Sequence, residues 1–107
     1  MTKTIRYQVV LAAAIALASS VSFAQAAGEA TYKAKCQSCH GVAGTPSPAM
    51  AKTMGVKAAS DPSVKSKTEA QMIAATTNGM GKMGPFKGKL TDAQIKDAVA
   101  YFRTFAK

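Results

Sequence analysis

The pentapeptide Cys36-Gln37-Ser38-Cys39-His40 constrains this chain of 107 residues more than any other stretch. In a helical turn, Cys36 and Cys39 lie on one side, where both thiols can add to the two vinyl groups along one edge of a haem. His40 then lies directly under the iron, where its imidazole can serve as the proximal axial ligand. The motif therefore predicts a covalently held haem c, with Cys36 and Cys39 as its anchors and His40 as its first metal ligand.

Three other interpretations of the pentapeptide stay open. A thioredoxin-like redox pair also uses this cysteine spacing, but it needs strands around it, and the flanking sequence is rich in Ala, Lys and Gly instead of Val and Ile. A structural zinc site needs four ligands, whereas the chain has two cysteines and one histidine. The third is a plain disulfide beside a surface histidine. Without an attached haem, the chain would be a thiol–disulfide redox protein.

The N-terminal segment has the pattern of a secretory signal peptide. Lys3 and Arg6 precede an apolar run from Val9 to Val21, and Ala24-Gln25-Ala26 matches a cleavage site with small residues. We therefore predict a signal peptide over residues 1–26 and export to the periplasm. A retained transmembrane anchor is the alternative.

The mature domain would be residues 27–107, which is small for a hydrophobic core without a cofactor. The chain carries a net charge of +9, and loss of Lys3 and Arg6 leaves +7. Such a surface attracts acidic partners. Export, and the lack of a basic motif with interleaved aromatic residues, exclude nucleic acid as the expected partner.

Three helices are predicted from the periodicity and the end signals. The first covers residues 28–35, and its small residues should allow close approach of the C-terminal helix; its apolar side consists of Ala30, Tyr32 and Ala34. The second begins with a capping box of Ser66 and Glu69 and ends at Asn78-Gly79.

The third predicted helix covers residues 92–105 and begins with a capping box of Thr91 and Gln94. One apolar stripe should cover the haem and cross the first helix. It contains Ile95, Ala98, Val99, Phe102, Phe105 and Ala106.

Residues 41–61 are predicted to form a loop under the haem, because glycines and prolines interrupt regular structure there. A ligating histidine usually donates its second ring N–H to a carbonyl, and Pro48 is the first candidate for that carbonyl, with Pro46 second. The prolines could equally only shape the turn. Within this segment, residues 49–54 could form a helical turn that carries Met50 and Met54, which are expected to line the pocket and not to bind the iron.

A glycine-rich segment, residues 79–90, is here named the methionine loop. Met83 is predicted to be the second axial ligand, because a thioether holds Fe(II) comparatively well and a loop can bring it to the face opposite His40. Met80 is the alternative. A role as core filler is weakened by the three glycines and the proline of residues 79–86.

With the Cys36-x-x-Cys39-His40 motif after a short helix, a methionine 43 residues beyond His40, and Val99-Ala100-Tyr101 in the final helix, the chain resembles the small bacterial class I c-type cytochromes. The resemblance implies an all-α fold of three to five short helices around one haem c, with His40 and Met83 as axial ligands. It also implies electron transfer as the activity.

The family commonly has an Asn-Gly shortly before the methionine ligand. The side chain of Asn78 is therefore expected to donate a hydrogen bond towards the Met83 sulfur. Here Gly84 follows Met83, where the family commonly has proline.

We therefore expect a monomeric, non-enzymatic carrier of single electrons between acidic redox proteins or a membrane oxidase or reductase complex. Four lysines should surround the haem edge and guide docking, unless they only solubilise the protein: Lys35, Lys82, Lys87 and Lys89. The alternatives are an open-site haem protein, such as a ligand sensor or a peroxidase-like enzyme, or a haem-delivery module.

Overall fold

The structure, a computed structural model, describes residues 23–106. Residues 1–22, which hold most of the predicted signal peptide, lie outside this range. Within the described part, residues 23–35 form helix α1, and the other helices follow in chain order. They are α2 (Gln37–His40), α3 (Pro48–Met54), α4 (Pro62–Lys65), α5 (Glu69–Asn78) and α6 (Asp92–Arg103).

The all-helical prediction is confirmed, and α2 and α4 are single turns. Extended pairing in the described range is limited to isolated bridges, Met80 with Met83 and Lys87 with Leu90. No helix in residues 23–106 is both long and apolar enough to cross a membrane.

The core forms where α5 packs against α6. Met72 of α5 lies against Ile95 and Val99 of α6, and five partly buried apolar residues complete the cluster: Val64, Ile73, Phe86, Leu90 and Phe102. Helix α6 begins as predicted, since Thr91 and Gln94 form a reciprocal capping box. It ends at Arg103 instead of Phe105, because the Thr104 amide bonds back to the Tyr101 carbonyl in a tighter final turn.

The predicted start of the middle helix is wrong. Ser66 has helical backbone angles and caps the C-terminal end of α4. Helix α4 itself was not predicted from the sequence, although Asp61 before Pro62 is a typical signal for the start of a helix. The extended residue that caps α5 is Thr68, which forms a capping box with Gln71. The predicted end is confirmed, since α5 stops at Asn78 and Gly79 follows with a φ of 83°.

Helix α1 packs across α6, and a glycine of α1 lies at the contact. The residues predicted to permit the approach, Ala30 and Ala34, are exposed. Gly28 is buried instead, and a Cβ atom there would lie 2.3 Å from the Asp97 carbonyl oxygen. One turn later, Tyr32 is 1% exposed and packs against α6, with its ring centroid 5.3 Å from that of Tyr101.

Candidate functional site

The five residues of the cysteine motif lie at the junction of α1 and α2. The Cys36 amide donates to the Tyr32 carbonyl at 2.8 Å, so the motif continues directly from α1. The His40 amide donates to the Cys36 carbonyl at 3.0 Å, which closes the helical turn. The predicted local geometry is therefore confirmed, with Cys36 and Cys39 on one turn and His40 immediately after them.

Both cysteines are half-buried free thiols. Burial raises the pKa of the Cys36 thiol above its ordinary value, and the neighbouring Cys39 adds to this effect. Thiol–disulfide enzymes instead lower the pKa of their attacking cysteine. The environment of Cys36 therefore disfavours a thioredoxin-like reaction. The described residues also contain no cluster of three or more metal-ligating Cys, His, Asp or Glu side chains.

His40 is half-buried against α6, with its ring centroid 5.3 Å from that of Phe102 in an edge-on contact. Burial lowers the pKa of this imidazole, which favours the neutral form that binds metals. Its Nδ1 is buried and has no hydrogen-bond partner among the described residues. Buried ring nitrogens in proteins nearly always have a hydrogen-bond partner. The missing partner at His40 is therefore consistent with an imidazole whose position is set by a bound group.

The expected hydrogen bond from His40 to a proline carbonyl is not present. Pro48 is the first residue of α3, where its carbonyl points along the helix into the backbone hydrogen-bond pattern. The residue after His40 is held differently. The Tyr32 hydroxyl donates to the Gly41 carbonyl at 2.6 Å and so connects α1 to the segment that follows His40.

The methionine loop begins with a tight reversal. The Met80 and Met83 amides each donate to the other residue's carbonyl at 3.0 Å, and Gly81 in the turn has a φ of 59°. Met80 is 57% exposed, whereas Met83 is half-buried. The Lys67 ammonium lies 3.5 Å from the Met80 sulfur. The difference in burial favours Met83 over Met80 as a ligand.

Two elements hold the methionine loop. On the α5 side, the Phe86 and Lys87 amides donate to the Thr76 and Thr77 carbonyls at 3.0 and 3.1 Å. On the α3 side, the Lys82 ammonium donates to the Thr53 carbonyl at 2.7 Å. No local sequence pattern indicated this second contact.

A cavity of about 400 Å³ lies between α5 and the start of the methionine loop. Its walls include a small-residue stripe on α5, and Asn78 and Met80 lie at the loop end. The lining residues are Lys67, Gln71, Ala74, Ala75, Asn78, Gly79 and Met80. The structure thus places Asn78 beside the loop, but it shows no hydrogen bond from Asn78 to a methionine sulfur within the described range.

The lysines predicted to surround the site are exposed. Lys82, Lys87 and Lys89 lie on the methionine loop, and Lys35 precedes Cys36. Two of the chain's five acidic residues form ion pairs, Glu29 with Lys33 at 2.7 Å and Glu69 with Arg103 at 3.7 Å. Residues 70–91 contain no acidic side chain, so the surface near the loop is cationic.

The chain is similar to known electron-transfer proteins over most of its length. Residues 23–102 match the family described as cytochrome C oxidase, cbb3-type, subunit III. Cytochrome c-555 of Chlorobaculum tepidum is 34% identical over 94% of this chain and 94% of its own length. Cytochrome c6 of Leptolyngbya boryana is 40% identical over 71% of this chain and 86% of its own length.

A solved structure supports the same assignment. The c-type cytochrome KustC0563 superimposes with a TM-score of 0.67 at 30% identity, covering 75% of this chain and 98% of the other. The family fold and the cysteine motif agree, and c-type cytochromes carry covalently bound haem c. The chain belongs to the small class I c-type cytochromes.

Proposed function

We propose that this cytochrome is an exported one-electron carrier, with haem c attached to Cys36 and Cys39 and with His40 and Met83 as axial ligands. The observation that carries the proposal is the helical turn of residues 36–40, where two unpaired thiols lie directly before a half-buried imidazole. The electron-transfer activity agrees with the relatives, which are named as cytochromes c-555 and c6.

Each residue of the site has a physical task in this proposal. Cys36 and Cys39 fix the position of the group, and His40, backed by Phe102, supplies a nitrogen ligand of defined orientation. Met83 supplies a soft sulfur, which favours the reduced state. The bound haem supplies an iron that changes oxidation state by one electron. Because two ligands are held in both states, no side chain has to bind or leave during transfer.

An open-site haem protein is the competing function. A peroxidase-like reaction requires acid–base side chains on the distal side. His40 is the one histidine of the chain and is already assigned to the proximal position. The relatives, named as cytochromes c-555 and c6, also favour a carrier over an enzyme.

Export and partners belong to the same proposal. The signal pattern over residues 1–26 would bring the mature chain to the periplasm, and the predicted cleavage site at residues 24–26 is exposed on α1. There the chain would act as a monomer and deliver electrons to acidic redox proteins or to a membrane oxidase or reductase complex.

The cationic surface around Lys82, Lys87 and Lys89 would guide the encounter with these partners. Electron delivery should then slow steeply as salt concentration rises, and a flat dependence would contradict guided docking.

Carbon monoxide binding tests the ligand assignment. The reduced wild-type protein should bind carbon monoxide slowly at neutral pH, because Met83 occupies the sixth position. Met83→Ala should bind it rapidly, whereas Met80→Ala, the matched control three residues earlier, should behave like the wild type. Rapid binding by the wild type would favour the open-site alternative, and an effect confined to Met80→Ala would assign the ligand to Met80.

A further inference from the structure

The side chain of Lys82 connects the methionine loop to α3. Its ammonium donates to the Thr53 carbonyl oxygen at 2.7 Å, across 29 positions of sequence. Thr53 lies in the last turn of α3, where backbone carbonyls lack partners within the helix. A lysine side chain is one of the groups that satisfy such carbonyls. The contact therefore attaches the residue next to Met83 to a separate element.

The other hydrogen bonds of the loop within the described range go to elements other than α3. Its backbone bonds to Thr76 and Thr77 attach it to the end of α5. The Lys67 ammonium contacts Met80 on the exposed surface. Among the described residues, the bond from Lys82 is the hydrogen bond that joins the loop to α3.

Apart from the two backbone hydrogen bonds between Met80 and Met83, the backbone around Met83 has few local restraints, because it is rich in glycine. Gly79 and Gly81 have φ values of 83° and 59°, and a Cβ atom added at Gly84 would meet nothing within 4 Å. Glycine has the largest conformational freedom to lose when it is ordered. A proline directly after Met83 would restrict this freedom, but Gly84 occupies that position.

We propose that Lys82 is a positioning residue, whose bond to the Thr53 carbonyl keeps the Met83 thioether in place as the sixth ligand. This inference rests on the proposed function, since it requires Met83 to be the ligand. Lys82 contacts neither the iron nor the haem in this role. It limits how often the loop moves away and leaves the sixth position open.

Imidazole binding to the oxidised holoprotein measures this opening, because imidazole must displace the thioether. Lys82→Ala should raise the affinity for imidazole roughly three- to tenfold, the equivalent of one lost hydrogen bond. Lys82→Arg, which keeps a cationic donor, should stay within about twofold. Lys87→Ala is the matched control, because it removes one exposed charge from the same loop, and its effect should also stay within about twofold.

A second background separates loop positioning from a direct effect on imidazole. Met83→Ala should bind imidazole more tightly than the wild type, and Lys82→Ala added to it should change the affinity by less than about twofold. Equal effects of Lys82→Ala and Lys87→Ala would overturn the positioning role, as would an undiminished Lys82→Ala effect in the Met83→Ala background. If Met83→Ala alone leaves the affinity unchanged, the ligand assignment fails first, and the positioning role fails with it.

Discussion

The hydroxyl group of Tyr32 connects the first helix to the residue that follows His40. Tyr32 is 1% exposed, and its ring lies among the aromatic residues of α6 and of the turn after it, with the ring centroid of Phe105 at 5.7 Å. The hydroxyl would be expensive to bury without a partner, and the Gly41 carbonyl at 2.6 Å provides that partner. This single contact therefore helps to fix the chain on the far side of the cysteine motif.

Tyr32→Phe removes only that hydroxyl. We expect the free energy of unfolding of the holoprotein to fall by about 1–2 kcal/mol, because the Gly41 carbonyl loses its donor. Tyr101→Phe is the matched control, since its hydroxyl bonds to no described residue, and its effect should be within about 0.5 kcal/mol. Denaturant unfolding measures both. Equal losses in the two variants would show that the Tyr32 bond contributes nothing specific.

The same hydroxyl makes the fold sensitive to alkali. Burial raises the pKa of Tyr32 from 10.0 to about 12. Because the folded-state pKa lies above the unfolded value, this contribution to stability is complete below pH ~10 and is lost as the pH rises to ~12. The loss should reach roughly 2–3 kcal/mol. Unfolding experiments across this range should show a smaller loss for Tyr32→Phe than for the wild type; parallel curves would contradict this.

The helices show which features of the sequence could be predicted and which could not. Ser66 with Glu69 and Thr68 with Gln71 both match the capping-box spacing, so the pattern alone could not choose between them. The choice depends on α4, whose last turn makes Ser66 helical and leaves the extended conformation to Thr68. At Thr91 no second candidate competes, and the prediction is confirmed.

Two alanine substitutions test the corrected start of α5. Thr68→Ala should lower the free energy of unfolding by about 1 kcal/mol, because the Gln71 amide loses its capping acceptor. Ser66→Ala should change it by at most about 0.5 kcal/mol, since this exposed hydroxyl donates only to the Ser63 carbonyl. Thermal or denaturant unfolding of both variants gives the ranking. The reverse ranking would restore Ser66 as the cap.

The candidate site also has one part that could be predicted from the sequence and one part that could not. The cysteine motif is a local feature of five residues, so its geometry follows from one helical turn and could be predicted. The contact of Lys82 with Thr53 joins residues 29 positions apart, and no local pattern specifies it. Of the two roles considered for the prolines, Pro48 has the structural one, because it begins a helix whose own hydrogen bonds determine the direction of its carbonyl.

The packing of the described domain depends on the crossing of α1 and α6. These helices come from opposite ends of the described range, and together they place His40 against Phe102. Gly28 allows the close approach, since any side chain there would meet the Asp97 carbonyl and the Tyr101 side chain. The position of the proximal ligand is therefore linked to the packing of the two terminal helices.

Gly28→Ala should weaken this crossing. The added methyl group would overlap the backbone of α6, and we expect the free energy of unfolding to fall by about 1–3 kcal/mol despite the higher helix propensity of alanine. Ala30→Ser, on the exposed face of the same helix, should change it by less than about 0.5 kcal/mol. Unfolding followed by far-UV circular dichroism measures both. A Gly28→Ala protein as stable as the wild type would contradict the close crossing.

Intact-mass spectrometry of the exported protein shows whether haem is covalently attached. We expect a polypeptide of residues 27–107 that carries the mass of one haem, with Cys36 and Cys39 protected from alkylation under denaturing conditions. A colourless protein without the added mass, in which both thiols react freely with an alkylating reagent, would contradict it.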